Sequence, residues 1–232
     1  MKQFTEQELQ RLYWDKVHLP DSYFKEYENV PPCPLRSWGY SWKDNDYPRV
    51  GCTLDFRSWI HTHNLSTPAV LGYTCETDPE LEFLQPAEKI LVDYPKYDLH
   101  TIGTSFPQTF DFFLFNQTLE HLYNPFMAVK NIYDCMKPGG TVFTSVPTIN
   151  IPHLTPIHFG GFTPMGLATL FMSAGFEVIE IGQWGNLEYI QRLWSTHQWP
   201  GYNTLQKNNR ITNERDNCCQ TWILVRKPIQ SP

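Results

Sequence analysis

Three side chains stand where a proton could be taken from a hydroxyl. His121 and His158 each follow a run that reads as a strand, and imidazole accepts a proton near neutral pH. Glu120, beside His121, is a carboxylate that serves either as base or as a cap for the next helix. Asp93 closes the run Lys-Ile-Leu-Val-Asp, where a carboxylate can hold paired ribose hydroxyls through charge-assisted hydrogen bonds. Tyr94 offers a ring for a base to stack on. Each has a plainer reading, since Asp and His are also common turn and capping residues. His61 and His63 form an HxH pair without a third ligand, so no metal site is expected.

The elements that must position these groups alternate in type. Residues 69–73 (Ala-Val-Leu-Gly-Tyr) and 89–93 read as strands, and Asp78-Pro79-Glu80 between them has the residues that open a helix. Residues 110–115 (Phe-Asp-Phe-Phe-Leu-Phe) form a continuous apolar run, as in a strand buried on both faces. Asn124-Pro125 opens a helix whose stripe is Phe126, Val129, Ile132, Tyr133 and Met136, stopped by Lys-Pro-Gly-Gly at 137–140. A strand at 141–146 comes next, then a helix from Thr163-Pro164 to Gly175, and strands at 176–181 and 220–226. Such alternation predicts an α/β fold with a mostly parallel sheet and helices on both faces. Residues 1–50 read as an arm packed on the domain, with a Thr5/Glu8 capping box opening a helix through Trp14 and irregular chain over 31–48. Residues 51–232 then form the domain proper.

Ligands in open α/β sheets sit beyond the carboxyl ends of the strands. That directs attention to the loop after Tyr73, to Asp93 and Tyr94, to residues 116–121 and to residues 147–163. Composition narrows the partners. Of 232 residues, 41% are hydrophobic and 18% charged, which suits a folded domain, and a net charge of −6 without a Lys/Arg cluster excludes nucleic acid as the main partner. No apolar signal core or membrane-length run occurs, and six cysteines without CxxC spacing read as reduced thiols, so a cytoplasmic protein is expected. Four of the eight tryptophans (Trp184, Trp194, Trp199, Trp222) lie beyond the central segment. They are either core residues or flat faces for a sugar ring.

The run Phe110-Asp-Phe-Phe-Leu-Phe, Leu119-Glu120-His121-Leu122, Asn124-Pro125 and Lys137-Pro-Gly-Gly140, with His158-Phe-Gly-Gly-Phe-Thr-Pro164 and Ser173-Ala-Gly-Phe-Glu177 downstream, resembles the methyltransferase type 11 branch of the class I S-adenosylmethionine-dependent methyltransferases. The resemblance covers residues 69 to 182, with 221–227 as the final strand. It implies a Rossmann-like sheet with an antiparallel last strand and S-adenosylmethionine as cofactor. By the same resemblance Gly72, Tyr73, Thr74, Cys75, Asp93, Tyr94, Asp98, Leu99, Asn116 and Gln117 lie at the cofactor. One motif departs from the pattern: the family's Gly-x-Gly-x-Gly turn is replaced by Gly72-Tyr-Thr-Cys-Glu-Thr-Asp78, with a single glycine. The family's third strand is compressed into residues 97–100. An insertion at 183–219 implies an acceptor pocket, and its Trp184, Tyr189, Trp194 and Trp199 suit a sugar. The resulting expectation is an O-methyltransferase acting on a hydroxyl of a small polar acceptor, a sugar or glycan, with His158, His121 or Glu120 as base. The alternative is a catalytically silent domain of the same fold that binds a glycan or protein partner. Oligomeric state is not readable.

Overall fold

The computed structural model describes residues 4–18, 46–153, 157–206 and 211–229. Its elements are α1 (Glu6–Lys16), β1 (Val17–His18), α2 (Tyr47–Thr62), β2 (Val70–Tyr73), β3 (Glu88–Leu91), β4 (Phe110–Leu114), α3 (Pro125–Cys135), β5 (Met136–Pro147), α4 (Pro164–Ala174), β6 (Glu177–Trp184), α5 (Leu187–Thr196), α6 (Tyr202–Gln206) and β7 (Gln220–Arg226). The strands form one sheet in the order β1-β6-β7-β5-β4-β2-β3. All pairs are parallel except those of β7, which runs against both β5 and β6. The Rossmann-like architecture read from the sequence is therefore the one observed. The chain passes from β2 out to β3 and then back across to β4, so the strand order switches between β2 and β4. Ligand crevices open at such a point.

β4 shows why its run is wholly apolar. Phe112 and Leu114 enter the core on one face with α2, α5 and α6, while Phe110, Phe113 and Phe115 enter the other with α3 and α4. The helix starts are set by their caps. Asn124 accepts from Met127 N and Thr163 from Gly166 N, each with proline next in the chain, and Gly175 ends α4 at φ +107°. The stripe of α3 runs through Ala128, Val129, Ile132 and Cys135, whereas Phe126 is exposed. In the arm, α1 carries the expected Thr5/Glu8 capping box, and β1 extends the sheet beside β6. Helix α2 runs through residue 50, so the boundary expected there falls inside an element. Most of the irregular stretch expected at 31–48 lies outside the described residues.

Two expectations fail for one kind of reason, a carboxylate used elsewhere. Asp78 makes no side-chain cap, and the helix expected after it is only a 3-10 turn, Pro79–Phe83. Its oxygens face Arg49 and Asn116 instead. Residues 97–100 form a turn rather than a short third strand, because Asp98 Oδ1 binds both the backbone N (2.8 Å) and the Nδ1 (2.7 Å) of His100. That leaves β3 as an edge of the sheet, with Glu88 and Lys89 exposed on it. Among the described residues no helix is long and apolar enough to cross a membrane.

Gly72 is a strand residue, not part of a turn. A Cβ there would lie 2.5 Å from the Phe113 ring, which is fully buried against Phe110 and Phe115. Gly72→Ala is expected to cost about 1–3 kcal/mol of stability by overpacking, with affinity for S-adenosylhomocysteine close to that of wild type once the protein is folded. Chemical denaturation and calorimetry read the two quantities. Unchanged stability with lost affinity would instead make Gly72 a cofactor residue.

Candidate functional site

Two cavities open beside each other at the carboxyl ends of β2, β4 and β5. The first, about 450 Å³, is walled by Thr74, Asp93, Tyr94, Asp98 and Leu99, with Ile157 and Phe159 across from them. The second, about 400 Å³, is walled by Asp46, Arg49, Glu120, His153, Tyr189 and Trp199, with Asn150 and Gln220. Gln117 and His121 line both. The 3-10 turn Leu119–His121 places them there, with Gln117 at φ +48° and its N–H held by Ser145 O (2.8 Å).

Of the residues expected at a cofactor, Thr74, Asp93, Tyr94, Asp98, Leu99 and Gln117 line the first cavity. The other four do not. Gly72 is buried in β2, Tyr73 packs on the core, Cys75 Sγ faces Thr77 Oγ1 at 3.2 Å, and Asn116 lies beneath the wall. Asp93 stands two residues beyond β3 and is exposed. Thr74 N donates to Leu114 O (3.1 Å), tying the turn to β4. Thr74 Oγ1 is buried and has no hydrogen-bond partner among the described residues.

Of the proposed bases, Glu120 lines the second cavity, His121 lines both, and His158 lines neither. His158 sits behind them, its Nδ1 buried without a partner among the described residues, and burial, then the nearby His153 and His121, lower its proton affinity. His121 Nδ1 lies 2.8 Å from Ile157 O, so it carries the hydrogen and leaves Nε2 as the lone pair. His153 Nε2 faces that lone pair at 3.3 Å. Glu120 is 1% exposed; burial pushes its carboxyl up to about 8, and Oε2 has no partner among the described residues.

Of the four insertion aromatics, Tyr189 and Trp199 line the second cavity. Trp184 is 0% exposed, edge-on to Tyr47 and Tyr189, and belongs to the core; Trp194 is half-exposed and outside the lining of either cavity. Tyr189 OH donates to Asp46 Oδ1 (2.5 Å), and Trp199 Nε1 to Asn150 Oδ1 (2.9 Å). Burial pushes the Asp46 carboxyl up to about 7.

Sequence reasoning missed Asp46, Arg49, His153 and Gln220. The first two fell within what read as an arm, although Asp46-Tyr47-Pro48, with an acceptor two residues before a proline, is close to the helix starts elsewhere in the chain. Arg49 is the centre of a buried network. It donates to both oxygens of the fully buried Glu80, through Nη1 and through Nη2 (2.7 Å), and Thr53 Oγ1 adds a bond to the same carboxylate (3.0 Å). Asp78 approaches Arg49 Nη2 at 3.4 Å and accepts from Asn116 Nδ2 at 3.1 Å. Ser145 Oγ donates to Asn116 Oδ1 (3.0 Å) and accepts from Gln117 Nε2 (3.1 Å). The chain of bonds thus runs from α2 to Gln117, one of the two residues shared by the cavities. Burial opposes the Arg49 charge, but Glu80, Cys52 and Asp78 together outweigh it, so the guanidinium stays charged, while burial raises Asp78.

Residues 61–195 match the family model described as "Methyltransferase domain". Among solved structures the chain is similar to a putative sarcosine dimethylglycine methyltransferase from Galdieria sulphuraria, with a TM-score of 0.54 at 9% identity over 91% of this chain and 99% of that one. It is also similar to the [4+2]-cyclase SpnF, with a TM-score of 0.51 at 14% identity over 93% and 99% of the two chains. No curated protein matches in sequence.

The buried charges carry two testable consequences. Arg49→Met leaves Glu80 buried without its cation and is expected to cost about 3–5 kcal/mol in denaturation, with much of the loss recovered in Arg49→Met/Glu80→Leu. No recovery would mean that Arg49 acts by packing alone. Asp46 and Glu120 hold their protons more tightly folded than unfolded, where 3.8 and 4.5 are ordinary. The folded chain therefore keeps protons that the unfolded chain has lost between about pH 4 and pH 8, and stability falls as pH rises through that window. Thermal melts from about pH 5 to 8.5 should show this decline, and Asp46→Asn/Glu120→Gln should make it shallower, with Asp78, also raised by burial, keeping the remainder. A wild-type melting temperature that rises over that range would contradict the assignment.

Proposed function

We propose, for a chain that belongs to the methyltransferase domain family of class I S-adenosylmethionine-dependent enzymes, that the methyl acceptor is a hydroxyl on a small polar molecule of the sugar class. The observation that carries this reading is His121, which borders both cavities. A base must reach the acceptor hydroxyl at the place where the methyl arrives, and that place is the junction of the two ligands.

The first cavity fits the cofactor. Asp93 offers an exposed carboxylate for hydroxyls, Tyr94 and Tyr97 offer ring faces, Val92 and Leu99 offer apolar wall, and Thr74 Oγ1 is an orphaned polar atom at the strand end. When bound, S-adenosylmethionine supplies an already activated methyl group on its sulfonium. The chain's own part is then to orient an oxygen and remove its proton. His121 Nε2 is the acceptor of that proton. Ile157 O fixes the tautomer. Glu120, whose proton affinity burial has raised, donates at neutral pH and positions the acceptor rather than deprotonating it. The neutral donors and acceptors of Gln117, Asn150 and Gln220, beside the ring of Trp199, suit a hydroxyl-rich ligand with one apolar face.

His121→Ala is expected to lower kcat by roughly 10²–10⁴ with S-adenosylhomocysteine affinity within a few-fold of wild type. Asp93→Ala should do the reverse, weakening that affinity by about 1.5–3 kcal/mol, the scale of hydrogen bonds to a charged group. Methyl-transfer assays against a panel of glycosides, with calorimetry for the cofactor product, separate the two. A loss of less than about tenfold in His121→Ala, well below the range for a general base, would move the base elsewhere.

A further inference from the structure

The second cavity has an unusual balance of charge. Among the described residues its one permanent cation, Arg49, is matched by Glu80 through two hydrogen bonds and approached by Asp78 as well, and no lysine lines it. Two further carboxyls do: Asp46, tied to Tyr189 OH, and Glu120. Glu120 is 1% exposed, and its Oε2 meets no partner among the described residues. Gln220, 3% exposed, likewise has an Nε2 without a partner among them, on the same wall. Buried polar groups are normally satisfied, and orphans of this kind mark a missing ligand or water. The ring of Trp199, fixed by its bond to Asn150, is half-exposed at the same cavity.

An anionic acceptor would meet this wall badly. Beyond the neutral amides, the groups on this wall that could answer a phosphate are His121 and His153; each already gives its Nδ1 hydrogen to a backbone carbonyl, and their Nε2 atoms lie 3.3 Å apart. A cation is answered three times over: by Asp46, by Glu120 and by the face of Trp199. We propose that this cavity, on the reading of it as the acceptor site, takes a ligand that carries an ammonium group beside its hydroxyls, an amino sugar or amino alcohol, with the ammonium against Asp46 and Glu120 and a hydroxyl oxygen at Gln220. Both carboxyls hold protons near neutrality, and a bound cation lowers that affinity. Binding therefore releases protons.

The test is calorimetry at about pH 7, where both carboxyls are part-protonated, on the whole chain saturated with S-adenosylhomocysteine, in buffers of differing ionisation enthalpy. The probes are glucosamine, 6-amino-6-deoxyglucose, glucose and glucose 6-phosphate. At least one amine is expected to bind about tenfold or more tighter than glucose, the scale of a charge-assisted bond, with glucose 6-phosphate weakest and with buffer-dependent heat that reports proton release. Asp46→Asn and Glu120→Gln should each cut the preference for the amine by about tenfold or more, and the double variant should abolish the proton release. Glucose binding as well as both amines, or glucose 6-phosphate binding best, overturns the proposal, and these comparisons stand on wild type alone should a variant fail to fold. The site of transfer in the product, read by NMR, separates this inference from the reading beneath it. Methyl on the nitrogen of a preferred amine keeps the cation site and refutes hydroxyl transfer. Methyl on oxygen without amine preference does the opposite.

Discussion

The site depends on one buried cation. Arg49 belongs to α2, yet its guanidinium closes on Glu80 and Asp78 from the segment after β2, and Asp78 passes the connection to Asn116 at the end of β4. The helix, the turn and the switch point of the sheet are thereby held in one arrangement. Such a pair is not a large source of net stability, because desolvating both ions consumes most of the attraction. Its geometry is what matters. With Glu80 fully buried, any packing of α2 that misplaced Arg49 would strand a carboxylate, and that penalty excludes alternative seatings of the helix.

The same network bears on the turn that lacks glycines. A Gly-x-Gly-x-Gly turn lets backbone approach a ligand because glycine has no Cβ. Here residues 74–78 are Thr-Cys-Glu-Thr-Asp, and side chains do what bare backbone would otherwise do. Thr74 N anchors the turn to Leu114 O, and Asp78 anchors its far end to Arg49 and Asn116. The turn is positioned by bonds rather than by conformational freedom. That is compatible with a cavity beside it, since Thr74 remains on the wall while Asp78 points away beneath it.

Where periodicity and caps decide the outcome, the fold was legible. The all-apolar β4, the Asn124-Pro125 and Thr163-Pro164 helix starts and the Gly175 stop all arise from local chemistry. It was illegible where a polar side chain had a distant partner. Asp78 has the local form of a helix cap, but a guanidinium 29 positions upstream takes its carboxylate. Asp98 turns a potential strand into a loop by capturing His100. The site divides in the same way. Residues at strand ends, such as Thr74, Asp93, Gln117 and His121, could be named from topology. Trp184 and Trp199 could not be told apart by type, since only tertiary packing makes one core and the other cavity wall.

Fold alone leaves chemistry open, as a likeness shared with a [4+2]-cyclase and a putative methyltransferase illustrates. What differs between such proteins must lie in the walls. The matched stretch, residues 61–195, contains every residue named on the first cavity, together with Glu120, His153 and Tyr189 of the second. Asp46, Arg49, Trp199 and Gln220 lie outside it. The wall of the second cavity is thus assembled from the start of α2, the segment after α5 and the start of β7, brought together around a strand end. An activated methyl group asks the same of any protein that uses it, so the cofactor side has little reason to vary. On the proposed reading, selectivity falls to these outlying segments, and the buried network of Arg49 joins one of them, the start of α2, to Gln117.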